Sequence, residues 1–341
     1  MTDNLVYTSS TPKPSHSLSP LLPVRVGAEF AGTMLVAFAI YAISSWGAII
    51  NSTSILLLAG AVTAAAYAVA TFIFGRASGA HFNPAITFAG VLIGSTQWID
   101  GILYIIAQVL GALAGAGVWY LLTPTTTNMK MNTWLAVTVN GYDTNSPAHT
   151  LLANSGISFG IKNSLVLELA LTLVIIAAYF ATTRDNGTLK RGHVAAVSIA
   201  YGFAGNLAYV IDGAGFNPAR STGIAIIGAM EKMSTNPLSQ LWVYWAAPFV
   251  AAAVVALGFI IRNSVQANRA ETEAAVAALR LEQEAHMNGE EDETSDASYD
   301  MNAADVAEDS NTDEQEVLPL ITVETSESTA DTLTMKESKE D

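Results

Sequence analysis

A chain of 341 residues that is 51% hydrophobic and only 13% charged, with a positive mean hydropathy, is too apolar for an ordinary water-soluble domain and reads as an integral membrane protein. Cysteine is absent, which excludes disulfides, a thiol nucleophile and cysteine metal ligands. The net charge of −15 belongs to one end: residues 1–262 hold 11 Lys and Arg against 8 Asp and Glu, whereas residues 263–341 hold 4 against 22. The acidity therefore says little about what the membrane part carries.

Residues 1–23, with Ser, Thr and four prolines, read as a short disordered cytoplasmic arm without a cleavable signal. Six apolar runs follow at about Val24 to Trp46, Ile55 to Phe74, Trp98 to Leu122, Leu165 to Thr183, Val194 to Ile211 and Leu241 to Ile261, each near the ~20 residues that cross a bilayer. Lys13, Arg25, Arg76, Arg184, Lys190, Arg191 and Arg262 fall on one side of these spans, and Lys130, Lys162 and Lys232 on the other. Seven cations against three predict that both termini are cytoplasmic. Asp100 and Asp212, at span ends, are expected to be solvated. After Ile261 the composition turns to Ala, Glu, Leu and Arg over Asn268 to Met287, a helical continuation. The stretch from Glu290 to Asp341 is acidic, Ser/Thr-rich and expected to be disordered. Val317-Leu-Pro-Leu-Ile-Thr-Val is an apolar island there, and any partner of this tail is unknown. The domain division is then 1–23, 24–262 with halves at about 24–122 and 163–262, and 263–341.

Between the spans, Gly79-Ala-His-Phe-Asn-Pro-Ala85 recurs as Gly213-Ala-Gly-Phe-Asn-Pro-Ala219. Asn is a preferred N-cap and Pro is tolerated in a first helical turn, so each triplet predicts a helix start. The apolar stretches that follow, Asn83 to Gly94 and Asn217 to Gly228, would rise on the order of 16 Å, half of a hydrocarbon core of roughly 30 Å. Either motif alone is equally an ordinary Asn-capped helix. Two copies belong to a larger repeat: Glu29-Phe-Ala-Gly-Thr resembles Glu168-Leu-Ala-Leu-Thr, and each glutamate precedes its Asn by 54 or 49 residues. Three spans per half is an odd number, so the halves are inverted and the two half-helix N-termini meet near the midplane.

Non-helical backbone at that depth is tolerated only where protein buries it or a watery cavity adjoins it. Gly79, Ala80, His81 and Phe82, and Gly213, Ala214, Gly215 and Phe216, would then offer a ladder of carbonyls to a passing solute. Asn83 and Asn217 would supply side-chain donors at the pore centre, beside two helix N-termini that repel cations. Glu29 and Glu168 are costly intramembrane carboxylates, read as acceptors for the N-H groups of the two loops. His81 either lines the inner half of the route or is a buried histidine bonded to backbone. Gly111-Ala-Leu-Ala-Gly115 has the spacing for close helix packing.

These features resemble the major intrinsic protein family, the aquaporins and glycerol facilitators, over about residues 24–262. Both Asn-Pro-Ala boxes, Ser78-Gly-Ala-His, Ala219-Arg-Ser, the repeat glutamates and Tyr104-Ile-Ile-Ala-Gln-Val-Leu-Gly-Ala carry the likeness. The resemblance implies an all-α, aquaporin-like membrane protein with six transmembrane helices and two re-entrant half-helices in an inverted repeat. It also implies an outer selectivity filter at Thr63, Gly205, Ala214 and Arg220. Thr63 and Gly205 stand where strict water channels typically place an aromatic and a histidine, which should widen the filter, yet the greasy aromatics typical of glycerol facilitators are missing as well. Ser221 after Arg220, and Trp242-Val-Tyr-Trp245, resemble the water-channel pattern.

The expected function is passive conduction of water and small neutral solutes such as glycerol, with ions and protons excluded. A facilitator selective for glycerol or another small neutral solute is the alternative, and an ion-coupled secondary transporter is one of a different class, since inverted repeats with broken helices also occur there. No catalytic set appears in the spans, so no enzyme, metal, cofactor or nucleic-acid partner is expected. The family also implies a homotetramer, placed here in the cell membrane.

Overall fold

The computed structural model describes residues 20–50 and 53–296 of the chain. Expectations for the arm before Pro20, for the tail beyond Asp296 and for its apolar island lie outside these residues. The described residues fall in two units, Met1–Glu273 and Ala274–Asp341. In the second, residues 274–296 are helical, with side chains exposed through His286.

In the first unit the expected all-α arrangement is present. Its longer helices are α1 (Leu22–Ile50), α2 (Ile55–Ser78), α3 (Pro84–Ile93), α4 (Trp98–Leu122), α5 (Ile161–Ala181), α6 (His193–Asp212), α7 (Pro218–Met230) and α8 (Val243–Asp296), of which residues 243–273 belong to this unit. All but α3 and α7 are long and apolar enough to cross a membrane. The two exceptions are the half-helices, and each starts as the sequence predicts. Asn83 caps α3 by accepting from the Ala85 N-H, Asn217 caps α7 by accepting from Ala219 and Arg220, and proline occupies the first turn of both. Gly94, left-handed at φ 85°, closes α3, while α7 runs two residues past Gly228.

Lipid tails are as apolar as leucine, so helices in a membrane gain little from hiding apolar surface and associate through close packing. Glycine supplies that closeness. On α4, a Cβ at Gly115 would stand 2.7 Å from the Met34 carbonyl oxygen of α1, and one at Gly111 would overlap the Phe30 carbonyl. On the opposite pair, a Cβ at Gly202 of α6 would lie 3.0 Å from the carbonyl of Gly60 on α2, and the Gly60 N-H donates to Asn206 Oδ1 at 2.8 Å. Large side chains such as Phe72 and Ile73 on α2, Ile102 and Ile106 on α4, and Ile199 and Phe203 on α6 stay exposed, facing where lipid would be. Phe82, Ile86, Ile175, Tyr179 and Tyr201 fill the interior.

Two expectations fail. Asp100 is buried and paired with Arg25 at 2.7 Å, which ties the start of α4 to α1. Asp212 is wholly buried: its carbonyl accepts from Gly141 N-H and Asn140 Nδ2, and its Oδ1 from the Ala214 N-H. A span end is solvated only when no loop folds over it, and here residues 138–146 do so. In α1, the turn Ile43–Gly47 is π-helical. It presents the Ser44 carbonyl to Tyr209 Oη at 2.8 Å, and Ser45 Oγ accepts from Trp119 Nε1 at 2.7 Å.

A direct check contrasts two glycines of α4. An added methyl normally favours a helix by up to about 1 kcal/mol, and Gly117 has nothing within 4 Å of its would-be Cβ, so Gly117→Ala should keep or raise the melting temperature in detergent. Gly115→Ala should lower it, by the ~1–3 kcal/mol of an overpacked contact.

Candidate conduction site

The site is built from the two re-entrant loops, and every N-H in them has an acceptor. In the first loop, Gly79 N-H bonds to the Gly75 carbonyl at 3.0 Å and Ala80 N-H to Ser78 Oγ at 3.2 Å. His81 and Phe82 donate to the two carboxylate oxygens of Glu29, at 3.0 and 2.7 Å. The second loop repeats the scheme. Gly213 donates to Tyr209 O at 3.0 Å, Ala214 to Asp212 Oδ1 at 3.1 Å, and Gly215 and Phe216 to the carboxylate of Glu168 at 2.6 and 2.5 Å. Both glutamates are fully buried.

Gathering the donors on one side turns the carbonyls to the other. The backbone does this by alternation: Gly79 (φ 94°), Ala80 (φ 59°) and Phe82 (φ 47°) are left-handed, as are Gly213 (φ 82°), Ala214 (φ 55°) and Phe216 (φ 46°). Four of these carry side chains, at a cost of roughly 1–2 kcal/mol each that the glutamate bonds offset. Gly215 must stay glycine for a different reason, since a Cβ there would meet Glu168 Oε1 at 2.8 Å.

The eight ladder carbonyls are not equivalent. Gly79 O accepts from Tyr179 Oη at 2.7 Å, Phe82 O from Asn217 Nδ2 at 2.6 Å, Phe216 O from Asn83 Nδ2 at 2.9 Å, and Gly215 O from the Asn217 N-H at 2.5 Å. The carbonyls of Ala80, His81, Gly213 and Ala214 have no donor among the described residues. Asn83 and Asn217 lie where the half-helices meet, but their amides are engaged. Besides the carbonyl of the opposite loop, Asn83 Nδ2 donates to Tyr201 Oη at 2.8 Å and Asn217 Nδ2 to Tyr67 Oη at 2.9 Å. Both amides, expected as donors at the pore centre, are thus bonded within the protein.

On the side of the second loop a cavity is lined by Thr63, Gly205 and Ala214 from the expected filter, with Ser44, Tyr209 and Gly213 beside them and Tyr67, Tyr201 and Asn217 at its inner end. Arg220 is not among these lining residues; its guanidinium is buried over the Tyr41 ring at 5.7 Å, donating to Asn140 Oδ1 and to the Thr138 carbonyl at 3.3 Å. On the inner side, His81 is buried between the ring edges of Tyr104 and Tyr179, and its Nδ1 is 3.0 Å from Thr87 Oγ1. Gln108 joins this network by donating to Glu29 and to Thr87. No group of three or more His, Asp or Glu placed to hold a metal occurs among the described residues.

Sequence reasoning passed over Asn140, Tyr67 and Tyr201, and read Asp212 as a solvated span end. The tyrosines carried a legible signal, because each stands 16 residues before its Asn-Pro-Ala asparagine.

Known proteins resemble this chain over most of its first unit. The family described as Major intrinsic protein matches residues 20–259. The chain belongs to the major intrinsic protein family. The lens fiber major intrinsic protein of Lithobates pipiens is 33% identical over 238 residues, 67% of this chain and 77% of that protein. The Ovis aries protein of the same description is 33% identical over 189 residues, and there the match spans only 60% of the relative's length. Among solved structures, one described as the aquaglyceroporin from Plasmodium falciparum matches with a TM-score of 0.50 and 17% identity over 70% of this chain and 94% of that one, a likeness of fold. This major intrinsic protein is a multi-pass membrane protein and a passive channel for water and small neutral solutes.

Replacing a loop-holding carboxylate by an amide keeps its shape but turns one acceptor into a donor. Glu168→Gln should therefore cost about 1–3 kcal/mol, read as a lower melting temperature in detergent, with less flux per folded molecule in proteoliposomes.

Proposed function

We propose that this channel carries water and small polyols of glycerol's size through one route per subunit, and excludes ions. The observation that supports this most directly is the pair of loops whose Ala80, His81, Gly213 and Ala214 carbonyls lack protein donors and so remain available to a dehydrated neutral solute. The small side chains at Thr63, Gly205 and Ala214 around the outer cavity favour a solute wider than water. Exclusion of cations rests on two facing helix N-termini, each equivalent to roughly half a positive charge, and on the buried guanidinium of Arg220. Arg220 acts in this reading through its field, with Asn140 and the Thr138 carbonyl holding it in place.

Family membership and the absence of a titratable side chain at either Asn-Pro-Ala asparagine favour passive conduction over an ion-coupled transporter. The cell membrane, cytoplasmic termini and a homotetrameric assembly belong to the same proposal; the lysine and arginine distribution supports the orientation, and the family supports the rest.

Proteoliposomes holding the full chain should shrink faster than empty vesicles in an osmotic step and should re-swell as glycerol enters. Shrinkage no faster than that of empty vesicles would falsify the water claim. Gly205→His, which fills the cavity beside Thr63, should lower glycerol flux at least several-fold while changing water flux less.

A further inference from the structure

Two aromatic rings line the cavity beside Asn217. Tyr67 of α2 and Tyr201 of α6 stack with centroids 3.4 Å apart and planes 7° from parallel, and both are almost wholly buried. At that separation the ring faces are in van der Waals contact and nothing passes between them. Their hydroxyls accept from the two asparagines. Tyr201 Oη takes one hydrogen of the Asn83 amide and Tyr67 Oη one hydrogen of the Asn217 amide, while the other hydrogen of each amide goes to the carbonyl of the opposite loop. Asn83, Tyr201, Tyr67 and Asn217 thus form a continuous row from one half-helix to the other, with every amide hydrogen spent inside the protein.

We propose that the Tyr67–Tyr201 stack is the flux-determining closure of this channel: it shuts the route at the meeting point of the half-helices, and a solute crosses only while the rings are parted. The inference rests on the channel reading above and assigns two tasks to two places. The stack sets how often the route is open, whereas the outer residues Thr63, Gly205 and Ala214 set which neutral solute is preferred once it is. Parting the rings also frees the Asn83 and Asn217 amides, so the donors reach the solute only in the open state. Symmetry supports the assignment, since the tyrosines occupy equivalent positions of the two halves, 16 residues before Asn83 and Asn217, and each caps the asparagine of the opposite half.

The test measures water and glycerol flux, per folded molecule in proteoliposomes, for the full-length wild type and for Tyr67→Val, Tyr201→Val, Tyr67→Phe and Gly205→His. Either valine variant removes one ring and should raise both fluxes at least several-fold and by similar factors, with a weaker temperature dependence than wild type because no stack has to open. Tyr67→Phe keeps the ring and loses the hydroxyl, and should stay well below Tyr67→Val. Gly205→His should shift the glycerol-to-water ratio, which the valine variants leave within about two-fold of wild type. A conducting wild type that neither valine variant exceeds overturns the proposal and leaves the channel reading intact. A phenylalanine variant as fast as the valine one overturns it too, because ring bulk would not be what closes the route. If neither wild type nor variants exceed empty vesicles, the channel reading falls, and the proposal with it. Melting temperatures and elution profiles in detergent identify any variant that does not fold; the phenylalanine variant, which leaves the packing volume almost unchanged, then still decides, since a flux equal to wild type is required by ring closure and a several-fold rise contradicts it.

Discussion

The structure depends on one constraint: a peptide N-H left without an acceptor in an apolar bundle costs several kcal/mol, and two loops here abandon helix geometry in the middle of the protein. Glu29 and Glu168 meet the constraint by taking two consecutive N-H groups each, and Ser78 and Asp212 take one more. Burying a carboxylate is itself costly, but several charge-assisted bonds to one anion stabilise it better than scattered neutral acceptors could. With the donors drawn to one side, the carbonyls have only the other side to face. Conduction is in this sense a by-product of satisfying the backbone.

The halves are alike in scheme and unlike in detail. Glu29 is shared with Gln108, which also holds Thr87 and through it His81, so the inner loop is tied to α4 by a polar network. Around the outer loop the work falls to the segment 138–142, which holds Arg220, Asp212 and Gln240 by Asn140, the Thr138 carbonyl and the Tyr142 backbone. A long Thr/Asn-rich connection thereby braces the second loop and the half-helix that follows it.

This division explains what the sequence disclosed. Spans, half-helices and the inverted repeat were legible because periodicity, capping residues and length are local, and because Glu29 and Glu168 recur at the same place in each half. Asn140 lies in a connection with no periodicity, so nothing local marks it. Asp212 looked like a solvated span end, although setting the halves side by side puts it opposite Ser78, each one residue before the loop glycine. Tyr67 and Tyr201 were hidden by their surroundings, since a tyrosine in an apolar run counts toward the span, and only the shared offset to the asparagines singles them out. Gly205 was read as lost bulk; it does line the cavity, and Tyr201, which lines it too, precedes Gly205 by one helical turn.

The crossed bonds at the centre also bear on how the protein is made. Asn83 donates to the carbonyl of Phe216, and Asn217 to that of Phe82. A ribosome has to add more than 130 further residues after Asn83 before its partner exists. Until then the first loop can hold its own N-H groups through Glu29 but cannot seat its asparagine. Insertion of the first half is therefore left with an unfinished polar end, and the closing step of biogenesis joins both halves at once.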